Sequence, residues 1–194
     1  MKRTGTKGFS MMELVVVLAV IAILATLITP IITSYVDKAK INKAHNDVRN
    51  LVVALNQFSS DTKTFPIFTA PSQVPNGSVY DVLASEGLDP AQATGITGWI
   101  TSNPTGSIKA LMNENSLLFA TGGGTAWNGP YTGGVGEDPW GTKYLVTARA
   151  LRPGSNLTGF VLSAGPNRTV ETALDQTRGT AFTIGGDDIV SIIR

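Results

Sequence analysis

The stretch that decides the fold is Lys7-Gly8-Phe9-Ser10-Met11-Met12-Glu13-Leu14, near the start of a chain of 194 residues. A basic leader ends at a glycine, and a single carboxylate then enters an apolar run. From Leu14 to Ile32 there is no charged residue. As a helix this run spans roughly 28 Å, close to the hydrocarbon thickness of a bilayer. Glu13 therefore lies at a membrane edge, where an unpaired charge is costly, and the sequence predicts a positive partner on another chain.

The charges around this run predict its orientation. The leader, residues 1–8, carries Lys2, Arg3 and Lys7 and no acid, which by the positive-inside rule places the N-terminus in the cytoplasm. Three lysines beyond the run argue more weakly for the opposite orientation. The chain has a net charge of +1, and without the leader 12 basic side chains remain against 14 acidic ones. This balance does not predict nucleic-acid binding.

Two ordinary explanations of the N-terminus are a cleaved secretory signal peptide and a plain membrane anchor. A signal peptide usually has a shorter apolar core that ends in small residues. Here the run ends in Thr29-Pro30-Ile31-Ile32 and continues into a helical pattern. The sequence favours a retained helix over a signal peptide.

The motif Gly8-Phe9-Ser10-x-x-Glu13, followed by the apolar run to about Ile32, resembles the type IV pilin-like (prepilin) family, which includes pilins and secretion pseudopilins. The resemblance implies that a prepilin peptidase cuts between Gly8 and Phe9 and that the new N-terminus of Phe9 is N-methylated. It also implies that Glu13 pairs with the α-amino group of Phe9 on a neighbouring subunit during filament assembly.

Residues 9–60 are predicted to form one long helix, with the membrane segment at 14–32. Beyond that segment, apolar residues recur at three- and four-residue steps and form one stripe (Ile41, Ala44, Val48, Leu51, Val52, Leu55 and Phe58). Pro30 predicts a kink, because proline removes a helical hydrogen bond. The kink is either simply tolerated or a flexible joint used during subunit extraction and packing.

Residues 61–194 are predicted to form a periplasmic globular head. The 21 glycines and 10 prolines indicate many loops, and the absence of cysteine excludes disulfides. Short helices are predicted at 79–86 and 107–119, and strands at 144–148, 160–163, 181–184 and 188–193. The predicted fold class is α+β and pilin-like, with the long helix packed on a small antiparallel sheet.

A second resemblance lies in Gly129-Pro130-Tyr131, followed by Asp138-Pro139-Trp140-Gly141 and Tyr144. Their order and spacing resemble the G-type major pseudopilins of type II secretion. Residues 61–126 show no clear resemblance to that group.

The two resemblances imply an inner-membrane protein of bacteria with one membrane pass and a periplasmic head. They imply a helical homopolymer that drives export of folded proteins across the outer membrane, with the prepilin peptidase, minor pseudopilins and an inner-membrane assembly platform as partners. The alternative within the family is a type IV pilin or minor pilin that forms surface fibres for adhesion, motility or DNA uptake. Outside the family, the alternative is a membrane-anchored binding or enzymatic domain that does not assemble.

Oxygen-bearing side chains near the C-terminus form a candidate calcium site. They are Asn167, Glu171, Asp175, Asp187 and Asp188, in and around a glycine-rich loop between two predicted strands. Carboxylate and amide oxygens are the ligands that Ca²⁺ prefers, and the resemblance to G-type pseudopilins implies calcium in the corresponding loop. The alternative is a polar surface loop without metal. A transition-metal site is not expected, because His45 is the only histidine and there is no cysteine.

The sequence does not predict an enzyme. It has no Ser/His/Asp order and no nucleophile elbow, and its one histidine lies on the long helix. It also lacks a nucleotide-binding motif, so a separate cytoplasmic ATPase would have to supply the energy for export.

Overall fold

The structure is a computed structural model that describes residues 8–71, 74, 77–96, 98–99, 105–121, 126–134 and 136–194, without the side chain of Pro30. Nearly all of the predicted leader, residues 1–7, lies outside the described residues. The described elements run in the order α1 (Met11–Thr62), β1 (Val82–Ala84), β2 (Ala91–Gln92), β3 (Thr105–Ser107), α2 (Ile108–Met112), β4 (Leu145–Val146), a 3-10 helix (Ala148–Leu151), β5 (Phe160–Ser163), β6 (Thr169–Val170) and β7 (Ile189–Ile192).

The long N-terminal helix is confirmed as α1, which has 52 residues and continues through position 30. The kink predicted at Pro30 remains a prediction. At the end of the helix, the Thr62 hydroxyl donates to the main-chain oxygen of Phe58 over 2.8 Å. Lys63 follows with a left-handed backbone, φ 61°, which stops the helix. The chain divides into two compact units, one ending at Ala39 and the other comprising Lys40–Arg194.

In the first unit, the described residues leave the apolar run uncovered. The large apolar side chains between Leu14 and Ile32 are about half exposed or more. Among the described residues, one helix is long and apolar enough to cross a membrane. A continuous apolar surface of this size requires lipid or other helices to cover it.

In the second unit the amphipathic part of α1 packs on a five-stranded sheet. The predicted apolar stripe is confirmed at Ala44, Val48, Leu51, Leu55 and Phe58, which are at most 1% exposed. They form one core with sheet residues that include Leu83, Val146 and Val161. Burying a side chain such as Leu55 contributes about 2 kcal/mol, so this contact fixes the helix on the head.

The sheet has the strand order β3-β1-β4-β5-β7, and a separate pair joins β2 to β6. Three of the four pairings in the large sheet are antiparallel, as predicted, but β1 and β3 are parallel, so the sheet is mixed. The face away from α1 is also buried. There Val82, Leu145 and Phe160 pack with Trp99 and Leu174 in a second core.

Three predicted elements are wrong. The helix predicted at 79–86 is strand β1, whose three residues are all buried. A half-buried strand shows alternating apolar and polar residues, but a short strand that is covered on both faces does not. The apolar residues of this segment therefore fitted a helical spacing equally well. The helix predicted at 107–119 ends at Met112, and left-handed residues at Asn115 and Leu118 follow it. Residues 181–184 form no strand.

Candidate functional site

Helix α1 begins with a capping box. The Ser10 hydroxyl accepts a hydrogen bond from the Met12 main-chain N–H over 3.2 Å. Glu13 Oε2 accepts one from the Ser10 main-chain N–H over 3.1 Å. This reciprocal arrangement satisfies two donors that the first helical turn leaves free. The Glu13 carboxylate, predicted to need a positive partner on another chain, therefore already has a hydrogen-bond partner in its own chain, the Ser10 N–H.

The capping box leaves the charge of Glu13 without a cation. Among the described residues, no basic side chain forms an ion pair with it, and the residue is exposed. A hydrogen bond to a main-chain N–H orients the carboxylate without neutralising it. The sequence reasoning overlooked Ser10, although a serine three residues before a glutamate at a helix start is a recognised signal.

Gly8 and Phe9 lie just before this cap and are accessible. Phe9 is 82% exposed, and a Cβ added at Gly8 would meet no atom within 4 Å. The fold itself therefore places no steric demand on glycine at this position. Any strict requirement for glycine must come from a molecule that acts on the chain.

We predict that Gly8→Val leaves the folded head unchanged and blocks removal of the leader, because the side chain would obstruct a peptidase pocket. Immunoblots of cells that hold the peptidase would show only the precursor band. Gly133→Val is a matched control for adding a side chain at an open glycine, because Gly133 also has free space and, like Gly8, does not have a left-handed backbone. Complete processing of the Gly8 variant would contradict the prediction.

The turn before β6 and the loop between β6 and β7 bring four of the five predicted calcium ligands close together. Asp187 Oδ2 accepts from the Asn167 main-chain N–H over 3.1 Å, and the Asn167 amide donates to Glu171 Oε2 over 3.0 Å. Asp188 Oδ2 accepts from the main-chain N–H of Glu171 over 2.9 Å. A Cβ at Gly186 would overlap the Glu171 carboxylate, so glycine is needed where the two segments touch.

The fifth residue, Asp175, has a different partner. Its carboxylate forms an ion pair with Arg149 over 3.3 Å, outside the hydrogen-bond network that joins the other four. Within the part of the chain that the structure describes, no three His, Cys, Asp or Glu side chains converge as a metal cage. A calcium ion in this loop would therefore need main-chain oxygens or water in addition to the carboxylates.

Two carboxylate oxygens in this loop, Oδ1 of Asp187 and Oδ1 of Asp188, are buried and find no hydrogen-bond partner among the described residues. Burial raises the pKa of Asp188, and the nearby Glu171 charge adds to this, whereas hydrogen bonds from Thr172 and Glu171 oppose it. A buried, unpaired carboxylate oxygen is costly unless a cation or proton reaches it. The donor set therefore fits a bound hard cation.

The motif Asp138-Pro139-Trp140-Gly141 is organised by one buried carboxylate. Asp138 is 3% exposed, and its Oδ1 accepts from the main-chain N–H groups of Trp140 and Thr142, over 3.0 and 2.8 Å. Its Oδ2 accepts from the hydroxyls of Thr142 and Ser163, over 2.6 and 2.7 Å. Asp138 thus ties the turn before β4 to the end of β5, which makes its role structural.

Two tyrosines that the second resemblance singled out bind α1 to the head. The Tyr144 hydroxyl donates to Asp47 over 2.7 Å and the Tyr131 hydroxyl to Asp61 over 3.0 Å. Burial raises the pKa of both tyrosines, and the neighbouring carboxylates add to it. Both hydroxyls therefore keep their protons at neutral pH and remain donors.

The sequence reasoning also missed Trp99, in the segment that carried no resemblance. Its ring is 1% exposed, it packs edge-on against Phe160 at 5.6 Å, and its N–H donates to the main-chain oxygen of Thr172 over 2.9 Å. The Thr172 main-chain N–H in turn donates to Asp188 over 2.6 Å. Trp99 therefore supports the loop between β6 and β7 through its hydrogen bond to Thr172. This role could be recognised only in the tertiary structure.

Residues 3–29 match the model of the prokaryotic N-terminal methylation motif. The chain thus carries the N-terminal signature of prepilin-like proteins at the residues that form the capping box, and the resemblance to that family is confirmed.

Three relatives are each named type II secretion system core protein G. The chain is 33% identical to that of Pseudomonas aeruginosa over 34% of its own length and 46% of the relative. It is 31% identical to that of Klebsiella michiganensis over 41% of its length and 62% of the relative. It is 26% identical to that of Escherichia coli over 88% of its length and 89% of the relative. The first two matches thus span about half to three fifths of the relatives. No solved structure matches the chain.

Proposed function

We propose that this chain is a pseudopilin subunit of a type II secretion system. Cleaved subunits assemble into a periplasmic filament that helps to move folded proteins across the outer membrane. The observation that carries the proposal is helix α1, which exposes an uninterrupted apolar run directly after the uncompensated charge of Glu13. The methylation motif and the similarity to core protein G along most of the chain support it.

The apolar run of α1 is covered by lipid before assembly and by neighbouring subunits after it. Before assembly, lipid covers the apolar run and the subunit is held in the inner membrane with its head in the periplasm. After assembly, the runs of neighbouring subunits cover one another, so the filament core replaces lipid. A repeating contact of this kind joins different surfaces of successive copies and does not close. The prepilin peptidase, minor pseudopilins and an assembly platform are the partners this pathway requires.

The test is a comparison of wild-type cells with a strain that lacks this chain. We expect specific exported proteins to remain in the periplasm of the deletion strain while surface pili are unchanged. Complementation with the intact gene should restore export. Loss of long surface fibres with normal export would instead assign the chain to the pilins.

We also propose that the β6–β7 loop binds Ca²⁺ through Asp187 and Asp188, with oxygens nearby completing the shell. The two buried carboxylate oxygens without partners support this, since a divalent cation would compensate them. Bound calcium would hold this loop against the start of β7. Its role is structural and lies outside any catalytic chemistry.

We predict that Ca²⁺ at about 100 times its dissociation constant raises the melting temperature of the full chain in detergent by roughly 5–10 °C, because binding to the folded state adds about 2.7 kcal/mol. Excess chelator should reverse the shift. Asp188→Asn should abolish it, whereas Asp175→Asn should keep it, because Asp175 pairs with Arg149. A melting temperature that does not respond to calcium would count against the site.

A further inference from the structure

The charged groups of the second unit are sorted between the two ends of its five-stranded sheet. One end is where β1 stops and β4 starts, and the other is where β4 stops and β5 starts. Carboxylates outnumber basic groups at the first end, and basic groups outnumber carboxylates at the second. The two groups of charges do not face each other within one molecule, because the length of the strands separates them.

The acidic end surrounds an exposed leucine. Leu88 is 67% exposed, yet its backbone is fixed, because its N–H donates to the Gly141 oxygen and its oxygen accepts from the Lys143 N–H, each over 3.0 Å. Four carboxylates lie on this end, those of Glu86, Asp89, Glu114 and Glu137, and two lysines, Lys109 and Lys143, pair with three of them. Leu88 therefore forms a rigid apolar knob, and the charged side chains around it form a rim with a net negative charge.

The basic end contains a groove with a cavity of about 340 Å³. Phe65, Leu151 and Ile193 form its apolar part, and Lys63, Arg152 and Arg178 stand around it. Arg152 is paired with Asp81 over 3.0 Å. In the described part of the chain, Lys63 and Arg178 form no ion pair. The groove is therefore large enough for a leucine side chain and has a positive rim.

We infer that this groove receives the Leu88 loop of a second copy of the chain, with the acidic rim of one head facing the basic rim of the next. The inference rests on the proposed filament function. Each copy carries both the knob and the groove, at opposite ends, so the contact joins two different surfaces, which is the kind of contact that a helical filament repeats. Opposite charges at the rim favour this register and oppose contact between two like ends.

Cysteine crosslinking tests the contact, and the absence of native cysteine gives a clean background. The full chain carries Leu88→Cys together with Ser155→Cys, since Ser155 lines the groove, and membranes are treated with a short bismaleimide. The control pairs Ser155→Cys with Leu118→Cys, because Leu118 is also an exposed leucine, at 76%. We expect at least about tenfold more covalent multimers from the test pair, since docking raises the effective concentration.

A charge reversal provides the second measurement. Arg178→Glu should lower the multimer yield of the test pair roughly threefold or more, and Glu137→Lys added to it should restore the yield. Equal yields from the test and control pairs would overturn the contact. Filaments seen by electron microscopy without these crosslinks would overturn the contact alone. Crosslinks without filaments would retain the contact and overturn the filament role.

Discussion

Glu13→Gln is expected to abolish filament assembly while leaving the leader processed and the helix start intact. Glutamine at this position can still accept the Ser10 N–H bond of the capping box, so only the charge is removed. A subunit that enters the filament core without this charge leaves the positive N-terminus of its neighbour unpaired. An unpaired charge of this kind costs about 3 kcal/mol or more, a hundredfold or more in assembly.

The measurement is the yield of sheared filaments, with the processed subunit in membranes quantified on the same blot. Ser10→Ala is the matched control, because it removes the other half of the capping box and keeps the charge. It should cost about 1 kcal/mol of helix stability and leave assembly largely intact. If Glu13→Gln assembles like the wild type and Ser10→Ala does not, then capping of the helix is what assembly requires.

Asp138→Ala is expected to destabilise the head by about 4 kcal/mol, which is a large part of the stability of a typical domain. The substitution leaves two main-chain N–H groups and two hydroxyls without their acceptor in a buried place. The turn before β4 would lose its connection to β5. We expect reduced amounts of the protein in cells for the same reason.

Urea unfolding of the full chain in detergent, followed by tryptophan fluorescence, measures this loss. Glu137→Ala is the control, because this neighbouring carboxylate is exposed, and it should change the free energy of unfolding by at most about 0.5 kcal/mol. Asp138→Asn should lie between the two, since it keeps one acceptor oxygen. A stability loss for Asp138→Ala no larger than that of Glu137→Ala would show that the network contributes nothing.

The N-terminal third of the chain could be predicted from sequence because its signals are local. The charge-free run from Leu14 to Ile32 and the stripe from Ala44 to Phe58 repeat over many turns, and repetition makes a pattern reliable. The strands of the head are only two to four residues long. Such segments carry too few residues for a periodicity to appear, so β1 was predicted as a helix.

In the loop between β6 and β7, too, sequence predicted some features and missed others. Sequence placed Asp187 and Asp188 beside the last strand, and in the structure each has a buried oxygen without a partner among the described residues. Sequence also grouped Asp175 with them, because it lies in the same loop. The competing partner, Arg149, is 26 positions away along the chain, and only the packing of the 3-10 helix brings it to within 3.3 Å of Asp175.

By itself the sequence determined the class of fold, the long helix, the membrane-length run and the residues that cap the start of the helix. These depend on composition and on neighbours within a few positions. Tertiary structure decided the mixed sheet, the role of Asp138 as the acceptor that ties two strands, the support from Trp99, and the separation of charge between the ends of the sheet. Each of these depends on contacts between segments far apart in the chain, which no local pattern records.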